Sequence, residues 1–351
     1  MAQSNQVRFL VIGCCLLLAG CASQGDFSSL GTSLGGLLGG QAQQPDRPSV
    51  AQIGITECDR LTAIEIDPGR VTGVVPVAWK DLDAGKAISA CQQALAAYPE
   101  HPRLLVQLAR AYQRAYRQSE AYSATLKSAN HGYAYAVYSM GYLHETSIGV
   151  PQDYKAAESW YRKAAPMGIP HAWNRIGILY ADKYQSADTD KAIDAFRRAA
   201  KTGYISGMTN AAALLAQRGG RGDASEALSW AQKAAESGDA AGMRMVGAYY
   251  HNREEYAKAL PWYQQAAKAG DAAAMNTLAS YYRVGGGVVR PDMSTALMYY
   301  ERAAKAGYAP AAVRLAMIYA KGSGGILPDQ GKAMYWFKYG IPSAPSFQHI
   351  K

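Results

Sequence analysis

The sequence predicts an all-α fold: an α-solenoid, a superhelix of antiparallel helix-turn-helix repeats. Three observations carry that prediction. The 351-residue chain keeps returning to one phrase, a bulky pair, a polar or basic pair, two small residues and a closing glycine. It reads SWYRKAAPMG at 159–168, DAFRRAAKTG at 194–203, SWAQKAAESG at 229–238, PWYQQAAKAG at 261–270 and MYYERAAKAG at 298–307. Aligned glycines at Gly132, Gly168, Gly203, Gly238, Gly270 and Gly307 are 36, 35, 35, 32 and 37 residues apart, a period that belongs to stacked helical hairpins. A second set of positions keeps the same phase: Ala136, Ala172, Gly207, Gly242, Ala274 and Ala311, each followed five residues on by a Gly or Ala.

Taken in chain order, residues 1–20 read as an export signal peptide. Arg8 and the free amine give a positive start, and Phe9 to Leu18 form an apolar core too short for a lasting bilayer span. Residues 21–50 are rich in Gly, Ser and Gln and cannot bury enough apolar surface to offset chain entropy, so they read as a flexible tether. Residues 51–132 read as an N-terminal cap with tetratricopeptide-like helices. Two of these are expected near 86–98 and 103–115, split by Tyr98-Pro99-Glu100-His101-Pro102, and a third runs to about Asn130. Residues 133–340 hold about six repeats, and 341–351 leave the pattern as a tail.

Each repeat opens with a helix whose apolar stripe contains a small position: Gly141, Gly177, Ala212, Gly247, Ala279 or Ala316. Offsets of four, five and eight residues share one face of a helix. Gly inside a helix costs about 1 kcal/mol against Ala, so its use there points to close helix–helix approach. Three residues further on sit His144, Tyr180, Leu215, Tyr250, Tyr282 and Tyr319. The second helix carries Ala157, Ala192, Ala227, Ala259, Ala296 or Ala333, then the bulky pair, then two small residues that continue the buried stripe. The closing glycine is expected in the left-handed region that ends a helix. Asp153, Asp190, Asp292 and Asp329 recur before the second helix, where a carboxylate caps free backbone N–H groups. Pro166 falls at a frayed helix end, whereas Pro261 is expected to kink its helix or mark a late start.

These residues resemble the Sel-one-like repeat family, relatives of the tetratricopeptide repeat. The fullest match is 133–168, where Gly149-Val150-Pro151-Gln152-Asp153-Tyr154-Lys155-Ala156-Ala157 is close to the family's turn-and-helix signature. Val289-Arg290-Pro291-Asp292 and Leu327-Pro328-Asp329 keep the turn in shortened form, and the middle repeats lack it. Leu18-Ala19-Gly20-Cys21 resembles a bacterial lipobox, which implies lipidation of Cys21, cleavage before it and a stable multi-chain anchor. Ala22-Ser23 after the cysteine implies, by resemblance to Gram-negative lipoproteins, sorting to the outer membrane. The alternative is an ordinary cleaved leader followed by an incidental cysteine.

Cys14 and Cys15 leave with the leader, which makes Cys58 and Cys91 an even pair in an exported chain and suggests one disulfide. It would close a loop of about 34 residues, worth roughly 3–4 kcal/mol in the chain-entropy model. No further Cys or His stands at ligand spacing, so no metal site is expected. His101, His131, His144, His171, His251 and His349 are dispersed, and no hydrolase, phosphate-binding or dinucleotide motif occurs in a strand–helix context. The glycines at 285–287 and 322–325 read as hairpin loops. No catalytic residue and no cofactor is expected. His144, standing where four repeats have Tyr, reads as a half-buried structural histidine; if the copies hold a site, it is where they disagree.

Net charge is +9, but no block of like charge exists to form a nucleic-acid patch. The excess suits an anionic polysaccharide or an acidic protein loop only loosely. The resemblance implies a non-enzymatic interaction scaffold, tethered to the outer membrane on its periplasmic side. It would bind envelope proteins through the solenoid surface and assist assembly or regulation of machinery such as exopolysaccharide secretion. The competing readings are a surface-exposed adhesin or host-interacting protein, and a β-lactam- or wall-active hydrolase. The second is weakened because the paired cysteines of such relatives are missing here.

Overall fold

The computed structural model describes residues 53–183, 188–285 and 287–340. The signal peptide, Cys21, the whole tether and the tail from 341 lie outside the described residues. Four helices open the described chain: α1 (Glu57–Thr62), α2 (Ala84–Ala97), α3 (Pro102–Arg114) and α4 (Gln118–Asn130). Six hairpins follow: α5 (Ala134–Thr146) with α6 (Tyr154–Ala164), α7 (Pro170–Ile178) with α8 (Thr189–Lys201), α9 (Ile205–Arg218) with α10 (Asp223–Glu236), α11 (Ala240–Asn252) with α12 (Tyr256–Lys268), α13 (Ala272–Val284) with α14 (Met293–Lys305), and α15 (Ala309–Lys321) with α16 (Gln330–Gly340). Each helix packs on the next. Among the described residues the only β pairing is an isolated bridge, Ser323 to Ile326, and no helix is long and apolar enough to cross a membrane.

Two local devices repeat. The first ends the second helices. Gly203 has φ 88°, and Gly132, Gly168, Gly238, Gly270 and Gly307 lie between 73° and 97°. A residue with Cβ is strained there. The turn lets the next N–H reach back to a carbonyl in the last turn, Asp271 to Ala266 at 2.9 Å and Tyr308 to Ala303 at 3.0 Å. The second device starts the second helices. The N–H groups of Asp153, Asp188, Asp292 and Asp329 donate to the carbonyls of His144, Tyr180, Tyr282 and Tyr319 at 3.0, 2.9, 2.7 and 2.7 Å. Their carboxylates then accept from N–H groups of the helix they open. Asp190 is a correction to the sequence reading: Asp188 caps α8 from extended backbone, which leaves Asp190 already helical and paired with Arg218.

The third and fourth hairpins close differently. Arg218 grips Asp223 with two nitrogens, at 2.8 and 2.6 Å, and the Gly220 N–H donates to the same carboxylate. That guanidinium holds the buried Asp223 carboxyl down to about 2. Helix α12 opens at Tyr256 and runs through Pro261. Pro261 therefore does not mark a late start; it removes one backbone bond a turn inside the helix.

The core is a chain of alanine-rich seams with one ring in most of them. Tyr161, Phe196, Tyr263 and Tyr300 are each under 5% exposed. The small stripe positions make room for them: a Cβ on Gly141 would stand 2.6 Å from the Tyr161 ring, and one on Gly177 would overlap Phe196. The last hairpin departs from this. Trp336 is buried and Phe337, which follows the register of the other four rings, is 41% exposed, because no described helix packs beyond α16.

Candidate functional site

Cys58 and Cys91 are both fully buried and their sulfurs are bonded, 2.00 Å apart, joining α1 to α2. Asp59 beside them is buried against Arg103, at 3.1 Å, and Gln107, at 2.9 Å, and it accepts from both the N–H and the hydroxyl of Thr56. Arg110 reaches from α3 into the segment after α1, donating to the carbonyls of Thr62, Ala63 and Val77 at 2.8, 3.0 and 2.5 Å. Buried backbone carbonyls need such partners, so one guanidinium fastens an irregular segment that has no sheet or helix to do it. The Trp79 ring lies 6.0 Å from both Arg110 and Arg114.

Between this cap, α3 and α5 the surface opens into a groove of about 760 Å³. Tyr135, Tyr138 and Tyr142, three and four residues apart on α5, share one helix face and line it with Trp79, Gln113 and Ile148. Burial pushes the phenols of Tyr135 and Tyr138 up, so they enter the groove as neutral hydroxyls. At the rim Tyr116 is 81% exposed with φ 59°, an unusual conformation for a bulky residue.

Behind the tyrosines lies a buried charged trio. Glu145 on α5 accepts from the Tyr161 hydroxyl at 2.7 Å and pairs with Arg175 on α7 at 3.0 Å. Arg175 in turn lies 5.6 Å from the Tyr142 ring. Burial and the Glu145 charge push the Tyr161 phenol up, which keeps it a donor. The trio thus ties the groove-lining helix to the next hairpin.

His144 is half-buried beside Tyr122, ring centroids 6.0 Å apart, and burial lowers its pKa. Among the described residues no group of three or more His, Cys, Asp or Glu side chains is arranged to hold a metal. Asp59, Glu145 and Asp223 are each paired with an arginine, and Asp67 takes the Tyr133 hydroxyl at 2.7 Å. The arrangement offers rings, hydroxyls and a guanidinium face for surface recognition, the residue types that dominate interface energetics. Sequence reasoning missed Glu145, Arg175, Arg110 and the tyrosine face of α5. One signal was readable: Glu145 is an acid one turn beyond Gly141, the small position of the buried stripe, which asks for a base as its partner.

The Sel1 repeat model matches residues 134–168, 207–239, 240–271, 272–308 and 309–340. The hairpin α7–α8 stands between the first two matches without one of its own. A Sel1 repeat protein from Oxalobacter formigenes, solved as a crystal structure, aligns at 30% identity over 68% of this chain and 100% of its own, with a TM-score of 0.59. A protective antigen of uropathogenic Escherichia coli strains, displaying an SLR fold, aligns at 22% identity over 73% of this chain and 64% of its own, with a TM-score of 0.38. A chitin synthase regulator of Malassezia restricta is 38% identical over 61 residues, 17% of this chain and 4% of that protein. With five repeat copies matched and a whole Sel1 repeat structure aligned end to end, the chain belongs to the Sel1 repeat family, whose solenoids are protein–protein interaction scaffolds, typically non-catalytic.

Proposed function

We propose that this chain is a lipid-anchored scaffold on the periplasmic side of the outer membrane, which gathers envelope proteins through the groove between its cap and first hairpins. The observation that carries the reading is the groove itself: Tyr135, Tyr138, Tyr142 and Trp79 line about 760 Å³ of open space, while the buried acids Asp59 and Glu145 are held in structural pairs. Rings of this kind in a preformed concavity anchor partner side chains at low entropic cost. The lipobox-like Leu18-Ala19-Gly20-Cys21 supports the anchor, and the bonded cysteine pair fits an oxidising compartment. Assembly or regulation of exopolysaccharide secretion is the role proposed for it, with the net positive charge available to an anionic polysaccharide.

The test is a photo-crosslinking residue placed at Gln113 in living cells, with a second at Lys201 as a remote exposed control. Discrete envelope-protein adducts at Gln113 that vanish with Trp79→Ala are expected. Adducts equal at both positions, or unchanged by Trp79→Ala, would reject the groove. Cys21→Ser should move the folded protein from membrane to soluble fractions, and protease added to intact cells should leave the wild type uncut. Cleavage under those conditions would favour surface display and the adhesin reading.

A further inference from the structure

The five seams between consecutive hairpins can be compared position by position. At the first, Gly141 faces Tyr161, and Glu145 and Arg175 close around the phenol. At the second, fourth and fifth seams the ring positions are Phe196, Tyr263 and Tyr300, all buried. The third seam, between α9, α10 and α11, breaks the series. Ala231 stands where the ring belongs, Ala216 where Glu145 stands, and Met245 where Arg175 stands. All three bulky groups of the trio are thus replaced together by small or apolar ones.

A cavity of about 290 Å³ opens to the surface beside this seam, lined by buried Leu215, Ala227 and Ala231, half-buried Met245 and Tyr249, and exposed Ala216. Its size is at the lower end of small-ligand sites, which run about 300–1,000 Å³. The neighbouring contacts frame it. At one end a Cβ on Gly242 would stand 2.7 Å from the Ala234 Cβ, so the helices already touch. At the other, the Arg218–Asp223 pair pins the loop between α9 and α10. The seams on both sides keep their rings, Phe196 and Tyr263.

We propose that this seam is a receptor site for one aromatic side chain, phenylalanine or tyrosine, presented by a partner protein. Four equivalent seams define the occupant: in each, the chain supplies that ring itself. The lining agrees. Met245 offers a polarizable sulfur to a ring edge, and Leu215 with three alanines offers an apolar floor. Asn252 and Arg253 at the mouth can meet the hydroxyl or backbone of the incoming residue. The proposal rests on the scaffold reading and gives it a second, more specific contact, remote in sequence from the cap groove.

The experiment uses full-length chain with labelled Ala and Met methyls, titrated with N-acetyl-phenylalaninamide and, separately, with p-cresol. Saturable shifts at Ala216, Ala231 and Met245 are expected from both. In Ala231→Phe the added ring fills the seam, so the shifts should be lost and the melting temperature should rise. Ala231→Met, a more pliable filler, should give the same loss if the larger ring disturbs folding. Absence of shifts in the wild type, or equal shifts in the filled variants, overturns the proposal. Shifts from p-cresol without any from the amide assign the cavity to free small aromatics and overturn the protein-partner form. In cells, a crosslinker at Ala224 should trap a partner that Ala231→Phe releases. Intact Gln113 adducts with no methyl shifts reject this site alone, whereas methyl shifts with no Gln113 adducts reject the groove alone.

Discussion

Gly141 lies against the ring of Tyr161 so closely that a methyl group there would stand 2.6 Å from ring carbons Cδ1 and Cε1. Gly177 repeats the relationship with Phe196, and Gly247 does so more loosely with Tyr263, at 3.1 Å. Where the ring is missing, at Ala231, the facing position is Ala212 and no glycine is used. Helix propensity alone would favour Ala at 141 and 177 by about 1 kcal/mol. Overpacking costs about 1–3 kcal/mol and wins. Gly177→Leu should therefore lower the melting temperature strongly, Gly141→Ala moderately, and Gly247→Ala least. Thermal denaturation checks the ranking; Gly177→Ala combined with Phe196→Ala should cost less than the two changes summed.

The buried trio predicts an asymmetric response. Glu145→Ala strands Arg175, whose side chain is 26% exposed, and should destabilise by about 2–4 kcal/mol, near the lower range for a broken buried pair. Adding Arg175→Met should recover part of that, since it removes the stranded charge, while the buried Tyr161 hydroxyl stays without its acceptor. Urea denaturation of both variants decides it: no recovery in the double variant would remove the stranded charge as the cause.

Asp223 predicts an acid limit. Its folded carboxyl titrates at about 2 because Arg218 donates to it, below the ordinary carboxylate value of about 3.9. A depressed carboxyl contributes stability that is fully present above the unfolded value and is lost as pH falls through the folded one. Asp223→Asn should consequently be less stable than the wild type at pH 6, and the gap should narrow between about pH 4 and pH 2. A gap independent of pH would assign the effect to geometry and not to charge.

The cap predicts redox dependence. The Cys58–Cys91 bond spans a sequence separation of 33 residues, and losing it should cost roughly 3–4 kcal/mol in the chain-entropy account. Cys58→Ser and reduction of the wild type should lower stability alike and loosen Arg110 from its carbonyls. Native-state hydrogen exchange should then rise first at Val77 and Leu82, ahead of the repeats. Unchanged exchange in the cap would show that Asp59, Arg103 and Arg110 hold it unaided.

What the sequence by itself determined is whatever depends on neighbours along the chain. The glycine at each helix end, the small position in each stripe and the period of the hairpins are properties of local backbone geometry, so they were readable one repeat at a time. Asp190 was misread for Asp188 because two acids two residues apart both suit a cap, and only the path of the preceding turn chooses. Tertiary structure alone decided the rest. Glu145 and Arg175 meet across 30 positions because two first helices run side by side, and Arg110 finds carbonyls on a segment with no regular pattern. Trp336 takes the place of Phe337 because no described helix covers the far face of α16. Ala216, Ala231 and Met245 each look ordinary in the sequence. They line one cavity only because α9, α10 and α11, far apart along the chain, meet there in the fold.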